Sequence, residues 1–301
     1  MKTYQVYQVD AFTTTRFTGN PAGVVTAADD LTTAQMQQIA RELNNSETAF
    51  ICQPTDSKAD LRLRFFTPTV EVPFCGHATI AAQYINAREH HLTTQTLQQQ
   101  TQLATLPVMV DHELDDYRIT MTLGAIKVQP PLPQANQTEI LLALGLTTDQ
   151  LNPACPIAIA IAGAGKVMIG VKDQTILNQL QPDLTQLRQI SQKIGGFGYY
   201  VFTITPETEV LIHGRMFNPA AGINEDPVTG NANGPLGAYL VHYQLAPTLV
   251  NNHEFTFTAS QGEQMQRPGF LQVRVQLTAG QPTQVQVTGQ AVVAFKTTIE
   301  L

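Results

Sequence analysis

The stretch RFFTPTVEVPFCGHATIAA, residues 64–82, is typical of a strand that ends in a proline-containing loop and leads into a helix. A similar order of residues occurs in GRMFNPAAGINEDPVTGNANGPLGAYL, residues 214–240. Residues 64–68 match residues 215–219 at an offset of 151 residues, about half of the 301-residue chain. In both stretches an acidic residue, a proline and then a helix-opening glycine follow. This echo predicts two related domains that face each other.

Composition narrows the class of protein. The 43% of hydrophobic and 14% of charged residues describe an ordinary globular chain. A formal charge of −7 argues against nucleic acid as a partner, because phosphate binding needs clustered Lys and Arg. No apolar run reaches the roughly 18 residues of a membrane span, so no membrane partner is expected. Three cysteines without CxxC spacing favour a reducing, cytoplasmic location with neither disulfides nor a metal site.

The pattern along the chain predicts the main elements and a boundary. Apolar spacing predicts a helix over residues 32–43, and alternation predicts paired strands in the Gln- and Thr-rich residues 93–111. The proline-rich residues 128–137 predict the boundary, which gives domains 1–127 and 128–301. Residues 162–170, AGAGKVMIG, lack the spacing of a phosphate loop and favour a tight turn followed by a strand.

Two predicted helix starts point to a ligand. A helix N-terminus presents free N–H groups and a partial positive charge, which together bind anions. Gly76 and Gly230 would let a ligand approach that backbone closely. If both helix starts converge, the natural ligand is a small carboxylate, and the same N–H groups would stabilise charge that develops when a proton leaves the neighbouring carbon.

Four side chains near these helix starts are candidates for acid and base, and each also has a purely structural explanation. Cys75 can be a small buried hydrophobe, and His77 can cap its helix or bond to a loop. Asp226 precedes a helix, where a carboxylate suits the helix dipole. Glu47, between a predicted helix and strand, can simply be solvated.

Taken together, several stretches resemble the PhzF-like family of phenazine-biosynthesis-type isomerases, relatives in fold of diaminopimelate epimerase. The resemblance implies an α+β fold of two similar domains, each a β-barrel-like sheet around a central helix, and leaves open whether the last strand returns to the first domain. It implies an active site in the cleft between the domains, no cofactor, a small carboxylate substrate and a homodimer. The matching stretches span essentially the whole chain in order: VDAFTTTRFTGNPAGVV, NSETAFI, the two stretches quoted above, QGEQMQRPGFLQVRV and VQVTGQAVVAF.

The resemblance also implies roles for individual residues. It assigns proton transfer between two carbons to Glu47, in the SETAF sequence. It assigns orientation or polarisation of the substrate to His77, and an electrostatic or second acid/base role to Asp226. Gly76, Gly230 and Asn231 would bind the substrate through the backbone at the helix starts, although many family members carry serine where Asn231 stands.

The resemblance leaves Cys75 as packing or an auxiliary group. The epimerase relatives use two cysteines on opposite faces of the substrate, and Cys75 matches the first position while Thr229 stands at the second. A threonine hydroxyl is too weak an acid to pair with a thiolate near neutral pH. The leading hypothesis is therefore a cofactor-independent isomerase acting by acid/base catalysis on a small amino or hydroxy carboxylic acid. The alternatives are a cysteine-dependent racemase or epimerase and a non-catalytic carboxylate-binding protein.

Overall fold

The computed structural model describes residues 2–113, 116–206, 208–246, 249–251 and 253–301. The helices are α1 (Thr33–Leu43), α2 (Gly76–His90), α3 (Gln134–Leu144), α4 (Gln174–Asn178), α5 (Leu184–Lys193) and α6 (Gly230–His242). The strands are β1 (Thr3–Ala11), β2 (Asn20–Val25), β3 (Thr48–Cys52), β4 (Leu61–Phe66), β5 (Glu71–Val72), β6 (Gln95–Gln100), β7 (Thr105–Glu113), β8 (Asp116–Thr122), β9 (Ile126–Pro131), β10 (Ala158–Ala162), β11 (Ala164–Gly170), β12 (Gly198–Ile204), β13 (Ile212–Asn218), β14 (Ile223–Asp226), β15 (Val250–Asn251), β16 (Glu254–Gln261), β17 (Gly269–Thr278), β18 (Gln281–Gly289) and β19 (Ala291–Glu300).

The chain divides into two compact units. Unit 1 comprises residues 1–122 and 288–301, and unit 2 comprises residues 123–287. The predicted domain boundary fell after residue 127, but β9 pairs with β10, so residues 126 and 127 belong with the second unit. The C-terminal strand β19 pairs along its length with β1, which is why residues 288–301 belong to unit 1.

Unit 1 is a curled sheet around α2. The strands that neighbour one another are, in order, β19, β1, β2, β3, β4, β6, β7 and β8, and the pairs β2–β3 and β4–β6 are parallel. The helix α2 contacts β1, β2, β3, β4, β7, β8 and β19, and residues on all of its faces are buried. A helix that is buried all round lies in the interior, so α2 is the core of this unit. Helix α1 covers the outside of the sheet through Met36 and Ile39, and a capping box between Thr32 and Gln35 starts it.

Unit 2 repeats this arrangement with α6 at its centre. The neighbouring strands are β9, β10, β11, β12, β13, β16 and β17, and the pairs β11–β12 and β13–β16 are parallel. The helix α6 is buried along most of its length and contacts β9, β10, β11, β16 and β17. Helices α3 and α5 pack on the outer face of β10, β11 and β12. Each unit is thus a β-barrel-like sheet around a central helix, as predicted.

The internal repeat between the two halves extends to side-chain contacts. Arg64 in β4 donates from Nε and Nη2 to the two carboxylate oxygens of Glu71, both at 2.8 Å, and its guanidinium lies 5.2 Å from the ring centroid of Phe66. Arg215 in β13 donates in the same way to Glu225, again at 2.8 Å twice, and lies 5.1 Å from the ring of Phe217. Equal pairing at equivalent positions shows that the two units repeat one local structure.

The predicted elements are found, and one stretch is structured differently from what was expected. Helix α1 and the antiparallel pair β6–β7 confirm the predictions for residues 32–43 and 93–111, and the turn at Gly163 followed by β11 confirms that for residues 162–170. The proline-rich residues 128–137, where the boundary was predicted, contain the last residues of β9, 128–131, and the start of α3 at Gln134. Pro131 is tolerated because the pairing of β9 with β10 is irregular between Ala158 and Ala160.

Within the described residues, none of the helices is both long enough and apolar enough to cross a bilayer.

Candidate active site

Three side chains meet at the start of α2 in unit 1. Cys75 is the N-cap residue of α2, with an extended backbone (φ −144°, ψ 126°), and His77 lies in the first helical turn. Glu47 is the residue immediately before β3, whose neighbour β2 runs parallel to it. The turn between the Pro73-containing loop and α2 therefore places Cys75 and His77 next to Glu47, at the N-terminal end of β3.

The imidazole of His77 lies between the thiol and the carboxylate. Its Nδ1 is 3.4 Å from Cys75 Sγ, and its Nε2 is 3.5 Å from a carboxylate oxygen of Glu47 and 3.3 Å from the hydroxyl of Ser46. The side chains of His77 and Glu47 are only 8% and 15% exposed. The separation of His77 from Glu47 is longer than a short hydrogen bond, which is common for acid/base groups before a ligand tightens the site.

This line of three groups can move a proton. A neutral imidazole donates from one nitrogen and accepts at the other, so His77 can link the acid on one side to the base on the other. Glu47 is the strongest candidate base, because its carboxylate is partly buried yet reachable. A Cβ added to Gly76 would meet one neighbour, Met121 Cε at 3.6 Å, so a ligand can come close to the backbone at the helix start.

Glu47, Cys75 and His77 are also of the kinds that coordinate zinc. Each offers one ligand atom, and the three atoms lie within 4.8 Å of one another. A metal ion bound by these three ligand atoms would occupy the atoms through which Glu47, His77 and Cys75 contact one another. Metal binding and proton transfer between these three side chains would therefore exclude each other.

The start of α6 in unit 2 holds a network centred on Asp226. The hydroxyl of Thr229, the N-cap residue, donates to the Asp226 carboxylate. The amide of Gln261 donates to the Asp226 carbonyl at 2.6 Å and accepts from the Thr229 backbone N–H at 3.1 Å. Asn233 donates to the Thr229 carbonyl at 3.0 Å, and the buried Tyr200 donates to Asn233 at 2.7 Å. These bonds fix the position of Asp226 relative to the helix start.

Lys166 supplies a buried positive charge to the same unit. It lies in β11 with only 5% of its surface exposed, and its ammonium group donates to the Gly165 carbonyl at 3.1 Å. Burial lowers the pKa of Lys166 to about 8, and the nearby Asp226 carboxylate opposes that shift. Lys166 was not predicted as a site residue, because its sequence context, residues 162–170, was considered only as a possible phosphate loop.

Apart from the two helix-opening glycines, the repeat pairs the residues of one site with chemically different residues of the other. Counting along the paired strands from Arg64 and Arg215, and along the loops that lead to α2 and α6, aligns the two units residue by residue. The units therefore carry different side chains on the same framework, with Glu47 in unit 1 and Asp226 in unit 2. The matched pairs are Glu47 with Gly198, Ala22 with Lys166, Val72 with Asp226, Cys75 with Thr229, Gly76 with Gly230 and His77 with Asn231.

The structure thus brings Glu47 and His77 together in unit 1. Asp226 lies four residues before Gly230, at the start of α6 in unit 2. Cys75, for which packing and an auxiliary role were both left open, is buried and contacts His77 through its thiol. The sequence spacing of Cys75 and His77 does not fix which nitrogen of His77 faces the sulfur.

Comparison with known proteins identifies the family. The family model described as Phenazine biosynthesis-like protein matches residues 9–297. An uncharacterized isomerase from Clostridium acetobutylicum is 50% identical, and the alignment covers 100% of this chain and 99% of that protein. A trans-2,3-dihydro-3-hydroxyanthranilate isomerase from Pseudomonas chlororaphis is 31% identical over 97% of this chain and 98% of that protein.

Solved structures agree with the sequence comparisons. A PhzF family phenazine biosynthesis protein from Bacillus anthracis has a TM-score of 0.88 at 29% identity, with complete coverage of both chains. A hydroxyproline epimerase from Agrobacterium vitis, at a TM-score of 0.60 and 11% identity over 99% of this chain and 92% of that one, shares the fold alone. The two-unit architecture is accordingly that of the diaminopimelate epimerase-like folds. The chain belongs to the PhzF family of phenazine biosynthesis-like proteins.

Proposed function

We propose that this protein is an isomerase that moves a proton between two carbons of a small amino or hydroxy carboxylic acid, without a cofactor. The observation that carries the proposal is the contact line from Glu47 through His77 to Cys75 at the start of α2. Family membership supports it, because both curated relatives reported above are named as isomerases.

In the proposed reaction Glu47 is the base. Its carboxylate takes a proton from one carbon as that C–H bond breaks, and the electron pair moves into the conjugated system of the substrate. The N–H groups at the helix starts, including that of Gly76, stabilise the negative charge that develops. The protonated Glu47 then gives the proton to a second carbon, so the atoms balance and no redox partner is needed. His77 orients the carboxylate and the substrate through its Nε2.

The second unit has a complementary role in the proposal. Asp226, held by Thr229 and Gln261, supplies a fixed negative charge or a second acid/base group. Gly230 and Asn231 supply backbone contacts at the start of α6. That residues of both units act on one substrate, in a cleft between them, is a prediction from the family resemblance and the sequence repeat. A homodimer is likewise a prediction, which light scattering would test.

The named relative suggests a substrate class. The Pseudomonas chlororaphis protein is named for trans-2,3-dihydro-3-hydroxyanthranilate, which is a small amino and hydroxy carboxylic acid. We extend that class, rather than that compound, to the present chain.

A second candidate is a cysteine-dependent epimerase, which the 3.4 Å contact of Cys75 with His77 favours. Against it, Thr229 occupies the equivalent position in unit 2, so the second thiol of a two-cysteine mechanism is missing there.

Deuterium uptake at carbon separates these candidates. A pool of small amino and hydroxy carboxylic acids that includes trans-2,3-dihydro-3-hydroxyanthranilate and trans-4-hydroxy-L-proline is incubated in heavy water and analysed by mass spectrometry. Uptake into one compound by the wild type and by Cys75→Ser, but not by Glu47→Gln, supports the isomerase. Loss of uptake in Cys75→Ser with retention in Glu47→Gln would favour the epimerase instead. Ligand-induced thermal stabilisation without any uptake would point to a binding protein.

A further inference from the structure

Strand β19 forms an open edge of the sheet in unit 1. It pairs with β1, and among the residues that the structure describes no other strand pairs with it. The pairing continues past the end of the strand, since Lys2 and Leu301 exchange both main-chain hydrogen bonds, at 2.9 and 3.0 Å. An unpaired strand edge presents a row of N–H and C=O groups that can pair with another chain. The outer edge of β19 is therefore a surface on which a further strand can add.

The pairing with β1 determines which main-chain groups face outward. In an antiparallel pair, residues that exchange both hydrogen bonds with the residue opposite alternate with residues whose N–H and C=O groups point away. Lys2 and Leu301 exchange both bonds, and the register is unbroken from this pair back to Phe295. By alternation, the N–H and C=O groups of Lys296, Thr298 and Glu300 point away from β1.

The open part of the edge is limited to residues 295–301. Before it, the pairing with β1 is irregular, and Arg16 donates from Nε to the carbonyl of Val293 at 2.9 Å. Irregular pairing and a covering side chain are two ways in which proteins protect a strand edge. Residues 295–301 carry neither protection nor a proline, and Phe295 and Leu301 at the two ends are 51% and 48% exposed.

The open segment is complementary to itself in one antiparallel register. When two copies pair about a two-fold axis at Thr298, Lys296 of each copy lies opposite Glu300 of the other. Phe295 of each copy then lies opposite Leu301 of the other. The three residues with outward main-chain groups also face one another in this register, so each can exchange hydrogen bonds across the axis. Opposite charges and apolar side chains that lie directly across from each other stabilise a pair of strands.

The neighbouring two-fold registers lack this complementarity. An axis at Lys296 or at Glu300 places like charges directly opposite each other, which destabilises the pairing. An axis at residue 297 or 299 leaves both charged side chains without an opposite charge across from them. The charges of Lys296 and Glu300 therefore favour the axis at Thr298 over its neighbours.

We propose that β19 is the contact surface of a homodimer, in which residues 295–301 of two copies pair antiparallel about a two-fold axis at Thr298. The family resemblance predicts a homodimer without a surface, and the open edge supplies that surface. Within the described part of the chain neither Lys296 nor Glu300 forms an ion pair, so both can pair with the other copy. A two-fold contact uses the same patch on both copies and closes at the dimer. The contact is independent of the proposed function, because β19 carries none of the candidate catalytic residues.

Charge reversal tests the register. The molar mass is measured by light scattering after gel filtration, in low salt and over a wide range of protein concentrations, and the wild type should have the mass of two chains. Lys296→Glu or Glu300→Lys alone places like charges opposite each other at both positions and should weaken the dimer at least about tenfold. The double variant should dimerise like the wild type. Lys58→Glu, at an exposed lysine of the same unit, is the matched control and should leave the dimer intact.

Mixing the two single variants gives a sharper result. In a mixed pair one copy carries two carboxylates and the other two ammonium groups, so both positions again hold opposite charges. The mixture should therefore form a dimer that neither variant forms alone at the same concentration. Restored dimerisation also shows that both single variants are folded.

A disulfide tests the position of the axis. The residue on the axis faces its own copy at a Cα separation of about 5.5 Å, which a disulfide can span. Thr298→Cys should therefore give a cross-linked dimer on a non-reducing gel. Thr297→Cys, at the exposed neighbour on the other face of the strand, is the control, because it lies about 7–8 Å from its own copy and should not cross-link. The three native cysteines are buried, so the introduced thiol is the one that reacts.

Several results would overturn the β19 contact. A wild-type monomer at every concentration, or a dimer that neither charge reversal weakens, would show that this edge is not the contact surface. Single variants that stay monomeric when mixed would show that Lys296 and Glu300 do not face each other. Cross-linking of Thr297→Cys in place of Thr298→Cys would rule out the axis at Thr298. Deuterium exchange by the same samples keeps the two conclusions apart, because a wild-type monomer that exchanges leaves the proposed function intact.

Discussion

Arg215→Met is expected to destabilise the protein more than Arg64→Met, although the two arginines occupy equivalent positions of the repeat. Both make two 2.8 Å bonds to a glutamate and stack on a phenylalanine ring. Arg215 in addition donates to the carbonyls of Leu177 and Leu180 at 3.2 and 3.0 Å, and its side chain is 10% exposed against 18% for Arg64.

The magnitude follows from these differences. Removing one partner of a buried ion pair costs about 3–5 kcal/mol, whereas exposed pairs contribute about 0.2–1 kcal/mol. Arg215 lies close to the buried case, and its loss also removes a donor from the carbonyls of Leu177 and Leu180, so about 4 kcal/mol is expected for Arg215→Met. Arg64, which is more exposed and has Thr33 as its additional acceptor, lies between the two cases, at about 2 kcal/mol.

Urea denaturation followed by far-UV circular dichroism measures the difference, since the chain contains no tryptophan. With a urea dependence of about 1–3 kcal/mol per molar, a gap of about 2 kcal/mol separates the two midpoints by about 1 M. Methionine keeps most of the aliphatic stem, so both variants test the charged contacts rather than packing. Equal midpoints for the two variants, or a lower midpoint for Arg64→Met, would refute the reasoning.

Two further predictions concern acid stability and thiol reactivity. The hydrogen bond from His213 is the main cause that lowers the pKa of Glu263 to about 2. The ionised Glu263 carboxylate therefore adds stability that is complete above about pH 5 and lost as the pH falls toward 2. In Glu263→Gln the free energy of unfolding should consequently decrease less steeply with falling pH over this range. An unchanged acid dependence of the unfolding free energy would contradict the assignment. Burial raises the pKa of Cys52 to about 11 and that of Cys155 to about 12, so at pH 8 iodoacetamide should label Cys75 first, as read by peptide mass spectrometry. Faster labelling of Cys52 or Cys155 would show that the contact of Cys75 with His77 does not activate the thiol.

The repeat could be predicted from the sequence because its markers are local. The two stretches at residues 64–82 and 214–240 share turn and helix-start residues, and these dictate strand, loop and helix order without any long-range information. The alternation in residues 93–111 predicted strands for the same reason. The prolines of residues 128–137 did not reveal that residues 128–131 belong to a strand, because a proline at an irregular strand pairing cannot be told from a proline in a loop by its local sequence.

The site could be predicted only in part. Glu47, His77 and Asp226 were recognised through the family resemblance, whereas their contacts depend on strand register, which one sequence does not specify. Register also explains why Lys166 was missed: its inward direction follows from the pairing of β11 with β10 and β12, and from Val167 and Ile169 facing outward. The contact of the Cys75 thiol with His77 depends in addition on the backbone conformation at the N-cap of α2.

The central claim, that Glu47 is the base, is tested most directly by the rate of deuterium exchange in Glu47→Gln. The matched control is Glu42→Gln, which removes an exposed carboxylate of the same helix-to-strand region. General base catalysis contributes about 10²–10⁴-fold, so Glu47→Gln should lose exchange by at least about 10²-fold while its urea midpoint stays close to that of the wild type and Glu42→Gln keeps full activity. Exchange by Glu47→Gln at the rate of the wild type would contradict the account and move the search for the base to Cys75 and Asp226.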